Sequence, residues 1–175
     1  MKKSVLLTLL CLTGLCFANL GWAQRASPLA PSSLKELSKA ELARLIPASY
    51  FFAGQTASTQ LRNAGGVRFN DGKFLLIALV DNSGYSSGLA QKYQGLLITQ
   101  VALDFDGSTI EPGSYGFGSP AANHVGILDI NANEIAGGAT AASPNPRPVP
   151  LRLTVGDSGI IVSLNKRSFT LKLKD

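Results

Sequence analysis

Residues 149–174 read VPLRLTVGDSGIIVSLNKRSFTLKLK, and their period of two decides the fold class. Val149, Leu151, Leu153 and Val155 alternate with Arg152 and Thr154. Ile160, Val162 and Leu164 follow the Gly156-Asp157-Ser158-Gly159 turn, and Phe169, Leu171 and Leu173 alternate with Thr170, Lys172 and Lys174. Successive side chains of a strand point to opposite faces, so this is a three-stranded antiparallel meander with one face on a core and one in water. The wet face holds Arg152, Lys172 and Lys174.

The same period runs back through the chain. Val67–Phe69 and Lys73–Asp81 flank Asn70-Asp71-Gly72, residues that tolerate positive φ and signal a hairpin. In the second of these strands Phe74, Leu76, Ala78 and Val80 fall on one face and Leu75, Ile77 and Leu79 on the other, so it is expected to be covered on both sides. Tyr50–Gly54, Thr56–Arg62, Leu96–Phe105, Tyr115–Phe117 and His124–Ile130 read as further strands, with Gly65-Gly66 as punctuation and Leu89–Tyr93 as one helical turn. Prolines at 144, 146, 148 and 150 cannot donate to a ladder, so the segment after Ala136–Ala142 is an extended connection or an edge.

One helical period stands out. Leu34, Leu37, Leu42, Leu45 and Ile46 share a face, Ser33/Glu36 and Ser38/Glu41 both fit a capping box, and Pro47 ends the run. The pattern predicts an all-β domain over residues 33–175, a single antiparallel β-barrel with a β-sandwich as the alternative, carrying one N-terminal amphipathic helix as its second cover. The barrel is favoured because closure removes exposed edges.

Residues 1–23 read as a cleaved export signal: Lys2 and Lys3, an apolar run from Val5 to Phe17, and Gly21-Trp22-Ala23 before Gln24. Residues 24–32, with Pro28 and Pro31, form a flexible leader. An uncleaved anchor is the rival reading, since no charge falls between Ser4 and Gln24, but Thr8, Thr13, Gly14, Asn19 and Gly21 dilute the stretch. A lipid anchor is rejected because Leu15 and Leu10, not small residues, precede Cys16 and Cys11. Cleavage removes both cysteines, the single Trp and the single Met, leaving a thiol-free chain destined for the periplasm or the exterior, with no stable membrane insertion. It also lowers the net charge from +5 to +3. Six basic residues lie from Arg147 onward against Asp157 and Asp175, a bias suited to an anionic envelope component. Export, and the lack of aromatics interleaved with these positions, argue against nucleic acid.

Three constellations invite chemistry. Gly84-Tyr85-Ser86-Ser87-Gly88 fits the G-x-S-x-G pattern, and Asp104 or Asp106 and then His124 follow in the order a serine hydrolase needs. A nucleophile elbow, however, belongs to a parallel sheet built of βα units, not to turn-linked antiparallel strands. His124 is the single histidine, which rules out histidine-pair metal sites. Asp104, Asp106 and Glu111, and separately Asp129-Ile130-Asn131-Ala132-Asn133, imitate parts of calcium loops, but the closing positions are Tyr115 and Thr140, and turns in which Asp caps its own backbone explain both. No metal or other cofactor is expected. The leading reading is a non-enzymatic exported barrel that binds a small apolar ligand or a cell-envelope partner, with Tyr85, Tyr93 and Phe52 lining the pocket and the two tyrosines gating it. The alternatives are the hydrolase and a structural or assembly protein of the envelope; oligomeric state is left open.

Tyr50-Phe51-Phe52-Ala53-Gly54-Gln55, Leu61-Arg62-Asn63-Ala64-Gly65-Gly66, Ser83-Gly84-Tyr85-Ser86 and Lys92-Tyr93-Gln94-Gly95 together resemble an uncharacterised family of small exported proteins from soil bacteria. The resemblance extends from about Pro47 to the end of the chain. It implies an exported single domain and carries no activity, ligand or catalytic residue.

Overall fold

The structure, a computed structural model, describes residues 34–174. The expected signal and leader therefore lie outside the described residues. In chain order the elements are β1 (Lys35–Glu36), α1 (Lys39–Leu45), β2 (Ser49–Phe52), β3 (Gln55–Arg68), β4 (Phe74–Val80), α2 (Ser87–Lys92), β5 (Gly95–Thr99), β6 (Leu103–Phe105), β7 (Ser108–Ile110), β8 (Gly113–Ala121), β9 (His124–Leu128), β10 (Glu134–Ala139), β11 (Ala141–Ala142), β12 (Val149–Gly156), β13 (Gly159–Asn165) and β14 (Arg167–Leu173). All strand pairing is antiparallel. One sheet runs β1-β3-β4-β5-β8-β9-β10 with β2 added to β3, and the other runs β12-β13-β14-β6-β7 with β11 added to β14.

The C-terminal meander forms as its alternation predicts, with Ile160 opposite Val155 on one side and Leu171 on the other. Its apolar face meets the larger sheet in a shared core. Leu151, Leu153, Ile160, Val162, Phe169 and Leu171 pack with Val67, Leu75, Ile77, Leu97, Phe117, Val125 and Ile127. Burying each such side chain contributes about 1.5–3 kcal/mol, which makes this layer the main source of stability.

The ladders of the described residues do not form a closed barrel. Side chains take the place of a ladder where the two sheets meet. At one seam the Val155 amide donates to Glu36 Oε1 at 3.3 Å, and Gly65 lies so close to β12 that a Cβ there would come 2.7 Å from Leu153 Cβ. At the other the Ala139 amide donates to Asp106 Oδ2 at 3.4 Å, and a Cβ on Gly138 would meet the Phe105 ring at 2.8 Å. Gly65-Gly66 are accordingly interior to β3 and not a break: they thin the strand where another element presses on it.

β4 is covered on both faces. Leu75 and Ile77 face the shared core, whereas Leu76 and Ala78 pack under Leu37, Leu42 and Ile46. The cover is not the helix expected over 34–46. Lys35 and Glu36 pair with Arg68 and Val67 as strand, and the Leu37 amide donates to the Gly66 carbonyl. Only the two turns of α1 are helical, started by the second capping box: the Glu41 amide donates to Ser38 Oγ, and the Ser38 amide to Glu41 Oε2. Backbone pairing with the β3 edge outcompetes a helical turn whose other capping pair, Ser33/Glu36, would have had to act alone.

The stretch read as one strand from Leu96 to Phe105 is broken. Thr99 Oγ1 donates to the Val101 carbonyl at 2.6 Å and accepts from the Val101 amide at 3.2 Å, so its side chain folds a tight turn. The chain leaves the larger sheet there and enters the smaller one at β6. It returns to the larger sheet between β7 and β8 and crosses once more at Thr140, between β10 and β11.

Candidate functional site

Where the sheets part, two hairpins face each other. The β13–β14 hairpin pairs Leu164 with Arg167 across Asn165-Lys166, with Asn165 at φ +54°. The proline segment straps it: the Ser143 amide donates to the Lys166 carbonyl, and Ser168 Oγ donates to the Ala142 carbonyl. Opposite it, β8 and β9 turn through Pro120–Asn123, where Ser119 Oγ reaches the carbonyls of Ala121 and His124 at 3.0 and 2.7 Å. Thr140 ties this turn down, its amide donating to the Asn123 carbonyl at 3.1 Å.

Between them lies a cleft of about 540 Å3, within the about 300–1,000 Å3 typical of small-molecule sites. Its floor is apolar and buried: Val125, Leu164 and Phe169. Its rim carries Pro120, Ala121, Ala122, Pro148, Lys166 and Arg167, with Gln94, Thr140 and Ser119 between. Lys166 and Arg167 are the charged residues of the lining; no carboxylate belongs to it, and neither cation takes part in an ion pair among the described residues. A shallower hollow of about 250 Å3, lined by Gln60, Asn82 and Pro150 among others, shares Gln94, Leu164 and Asn165 with the cleft. A third, of about 360 Å3, carries Asp104, Asp106 and Lys172 and shares Ser168 and Phe169.

The residues singled out from the sequence lie elsewhere. Phe52, Tyr85 and Tyr93 do come together, but as a filled aromatic cluster on the outer face of the larger sheet. The Phe52 and Tyr93 rings stack with centroids 4.0 Å apart, Tyr85 meets Tyr93 edge-on at 5.3 Å, and Phe52 and Tyr93 are fully buried. The Tyr85 hydroxyl is anchored 3.0 Å from the carbonyls of both Phe52 and Gln55. The expected tyrosine gate is thus replaced by packing: β2 and α2 close over Leu96, Val80 and Leu128, and the rings fill the space between. Tyr93 Oη is buried with no hydrogen-bond partner, and burial pushes its hydroxyl well above the ordinary value of 10.0, reinforced by Tyr85 and Tyr50.

Ser86 sits at the N-cap of α2, where its side chain makes no capping bond. Asp104 lies in β6 opposite Lys172, and Asp106 turns at φ +51° toward Ala139. The His124 ring pairs with Glu134 Oε1 at 2.9 Å through Nε2, both side chains being partly exposed. No hydrogen bond joins Ser86, His124 and either aspartate among the described residues. Glu134 had no signal in the sequence, because its approach to His124 depends on the β9–β10 register, in which Ile135 bulges between Glu134 and Ala136. The calcium-like segment at 129–133 is a turn: Asp129 Oδ1 accepts from the amides of Asn131 and Asn133, both at 2.9 Å, and bonds from the Asn133 side chain and amide hold its carboxyl below the ordinary value. No group of three or more His, Cys, Asp or Glu that can hold a metal exists among the described residues, nor is any helix there long and apolar enough to cross a membrane.

No family model matches the chain, and no curated protein or solved structure matches it. Function has to be argued from the cleft.

Proposed function

We propose that this chain is an exported, non-catalytic binding domain, a two-sheet β-sandwich that holds a small ligand in the cleft between the β8–β9 and β13–β14 hairpins. The observation that carries the reading is the pairing of size with lining: about 540 Å3 over a floor of Val125, Leu164 and Phe169. Apolar floors with a few polar groups at the rim are the common form of small-molecule sites. The chemistry of the rim supports binding over catalysis, because it offers cations and amides but no histidine or carboxylate to move a proton. The N-terminal signal pattern supports export.

Native mass spectrometry of the protein purified from its source tests the reading. A retained small molecule that Phe169→Ala releases supports it. A protein that is ligand-free from its source and binds no member of an apolar and amphipathic library overturns it.

A further inference from the structure

We infer that the ligand is a single-tailed anionic amphiphile, its carboxylate or phosphate held by Arg167 and Lys166 and its tail laid on Leu164 and Phe169; this rests on the cleft being the binding site. The two kinds of lining are arranged for such a molecule. The cations stand together at the hairpin turn, while the apolar floor lies behind them. Arg167 is only half-exposed, at the first position of β14, and its backbone is fixed by pairing to Leu164 on one side and Ala142 on the other. A half-buried arginine without a carboxylate partner is ready to form a bidentate bond with an anion, and the lining contains no acidic side chain to compete or to repel one.

The polar groups around it are mostly committed, which narrows the head group further. Ser119 Oγ, Ser168 Oγ and Thr140 Oγ1 donate to the carbonyls of His124, Ala142 and Ala122. A sugar or peptide, needing many donors and acceptors, would find few of them free. A compact anion needs only the cations.

The experiment is isothermal titration of the purified protein with dodecanoate, dodecyl phosphate, dodecanol, dodecyltrimethylammonium and inorganic phosphate, each amphiphile below its micelle concentration, and with vesicles of anionic phospholipid. The expected result is binding of the two anionic amphiphiles at least about ten-fold tighter than dodecanol, the size of one charge-assisted hydrogen bond, and exclusion of the cationic one. Arg167→Gln brings the ratio of anionic to neutral affinity close to one, and Lys166→Gln, at an exposed turn position, lowers it by a smaller factor even if the Arg167 variant does not fold. Equal binding of dodecanol and dodecanoate overturns the anionic head group and leaves the cleft reading standing. Binding of inorganic phosphate as tight as that of dodecyl phosphate overturns the tail. Binding to vesicles without binding of monomers overturns both parts and assigns the turn to a membrane surface. No binding of any probe removes the cleft reading itself.

Discussion

Tyr93→Phe is expected to stabilise the protein, whereas Tyr85→Phe, one ring away, is expected to destabilise it. Both rings belong to one buried cluster, so the substitutions share their loss of a single oxygen and differ in what that oxygen touches. Tyr93 Oη is buried without a partner. Burying a hydroxyl in that state costs about 1–3 kcal/mol, and phenylalanine removes the cost while keeping the 4.0 Å stack on Phe52. The Tyr85 hydroxyl donates between the carbonyls of Phe52 and Gln55, and deleting it loses that buried hydrogen bond, at a cost of about 1–2 kcal/mol. At a urea slope of about 1–3 kcal/mol/M a change of about 1 kcal/mol moves the midpoint by about 0.3–1 M, upward for Tyr93→Phe and downward for Tyr85→Phe, read by far-UV circular dichroism. The pH dependence gives an independent check. Burial raises the Tyr93 hydroxyl above its unfolded value of 10.0, so the folded state holds the proton more tightly; stability is intact below that value and falls as pH rises through it. Tyr93→Phe should make the alkaline limb shallower. A lower midpoint for Tyr93→Phe than for the parent would show that the hydroxyl is bonded in solution and would refute the reasoning.

Glycines provide a second contrast. Gly118→Ala would drive a Cβ to 2.0 Å from the Lys92 carbonyl oxygen and should cost about 3 kcal/mol or more by thermal melting, whereas Gly54→Ala meets open space and pays only for φ +83°, about 1–2 kcal/mol. Equal costs would mean that the approach of α2 to β8 relaxes freely. Ser38→Ala removes the side-chain half of the α1 capping box, the hydroxyl that accepts from the Glu41 amide, and should lower stability by about 1 kcal/mol in urea titration. On the acid side, Glu41, Asp71, Asp81 and Asp129 are all held below their ordinary values, each by hydrogen bonds to nearby residues. The stability they contribute is present above the unfolded carboxylate range, about 3.9–4.3, and is lost as pH falls through it, so an acid titration should show a decline beginning there that Asp129→Ala makes smaller.

Much of the strand layout was legible because it is written locally. The alternation in residues 149–174 forms the meander, and Asn70-Asp71-Gly72 forms its turn, with Gly72 at φ +83° and the Phe69 amide donating to the Lys73 carbonyl. The alternation of β4 predicts its two covered faces, Leu75 and Ile77 joining one core, Leu76 and Ala78 a second, and Val80 the aromatic cluster. The turn at 129–133 behaves as Asp and Asn side chains in turns do. The helix is shorter than its stripe, since a helical period at 34–46 cannot reveal that the edge of β3 pairs with Lys35 and Glu36. Phe52, Tyr85 and Tyr93 come together while Phe69 and Phe74 join two other cores and Phe51 is exposed, and nothing in the spacing of the aromatics distinguishes rings that line a space from rings that fill it.

The sequence by itself determined an antiparallel all-β chain, its main hairpins and the apolar faces of its strands, because period and turn chemistry act between residues a few positions apart. The tertiary structure alone decided which sheet each strand joins. The crossings at Thr99–Val101 and Thr140 send neighbouring strands to different sheets, and Gly65 and Gly138 let those sheets press together along seams without a ladder. It also decided the cleft, whose floor draws on Val125 from one sheet and Leu164 and Phe169 from the other. Those residues are some forty positions apart in sequence, and only the packing of two sheets, driven by burial of their facing apolar sides, brings them beneath the cations of the Lys166-Arg167 turn.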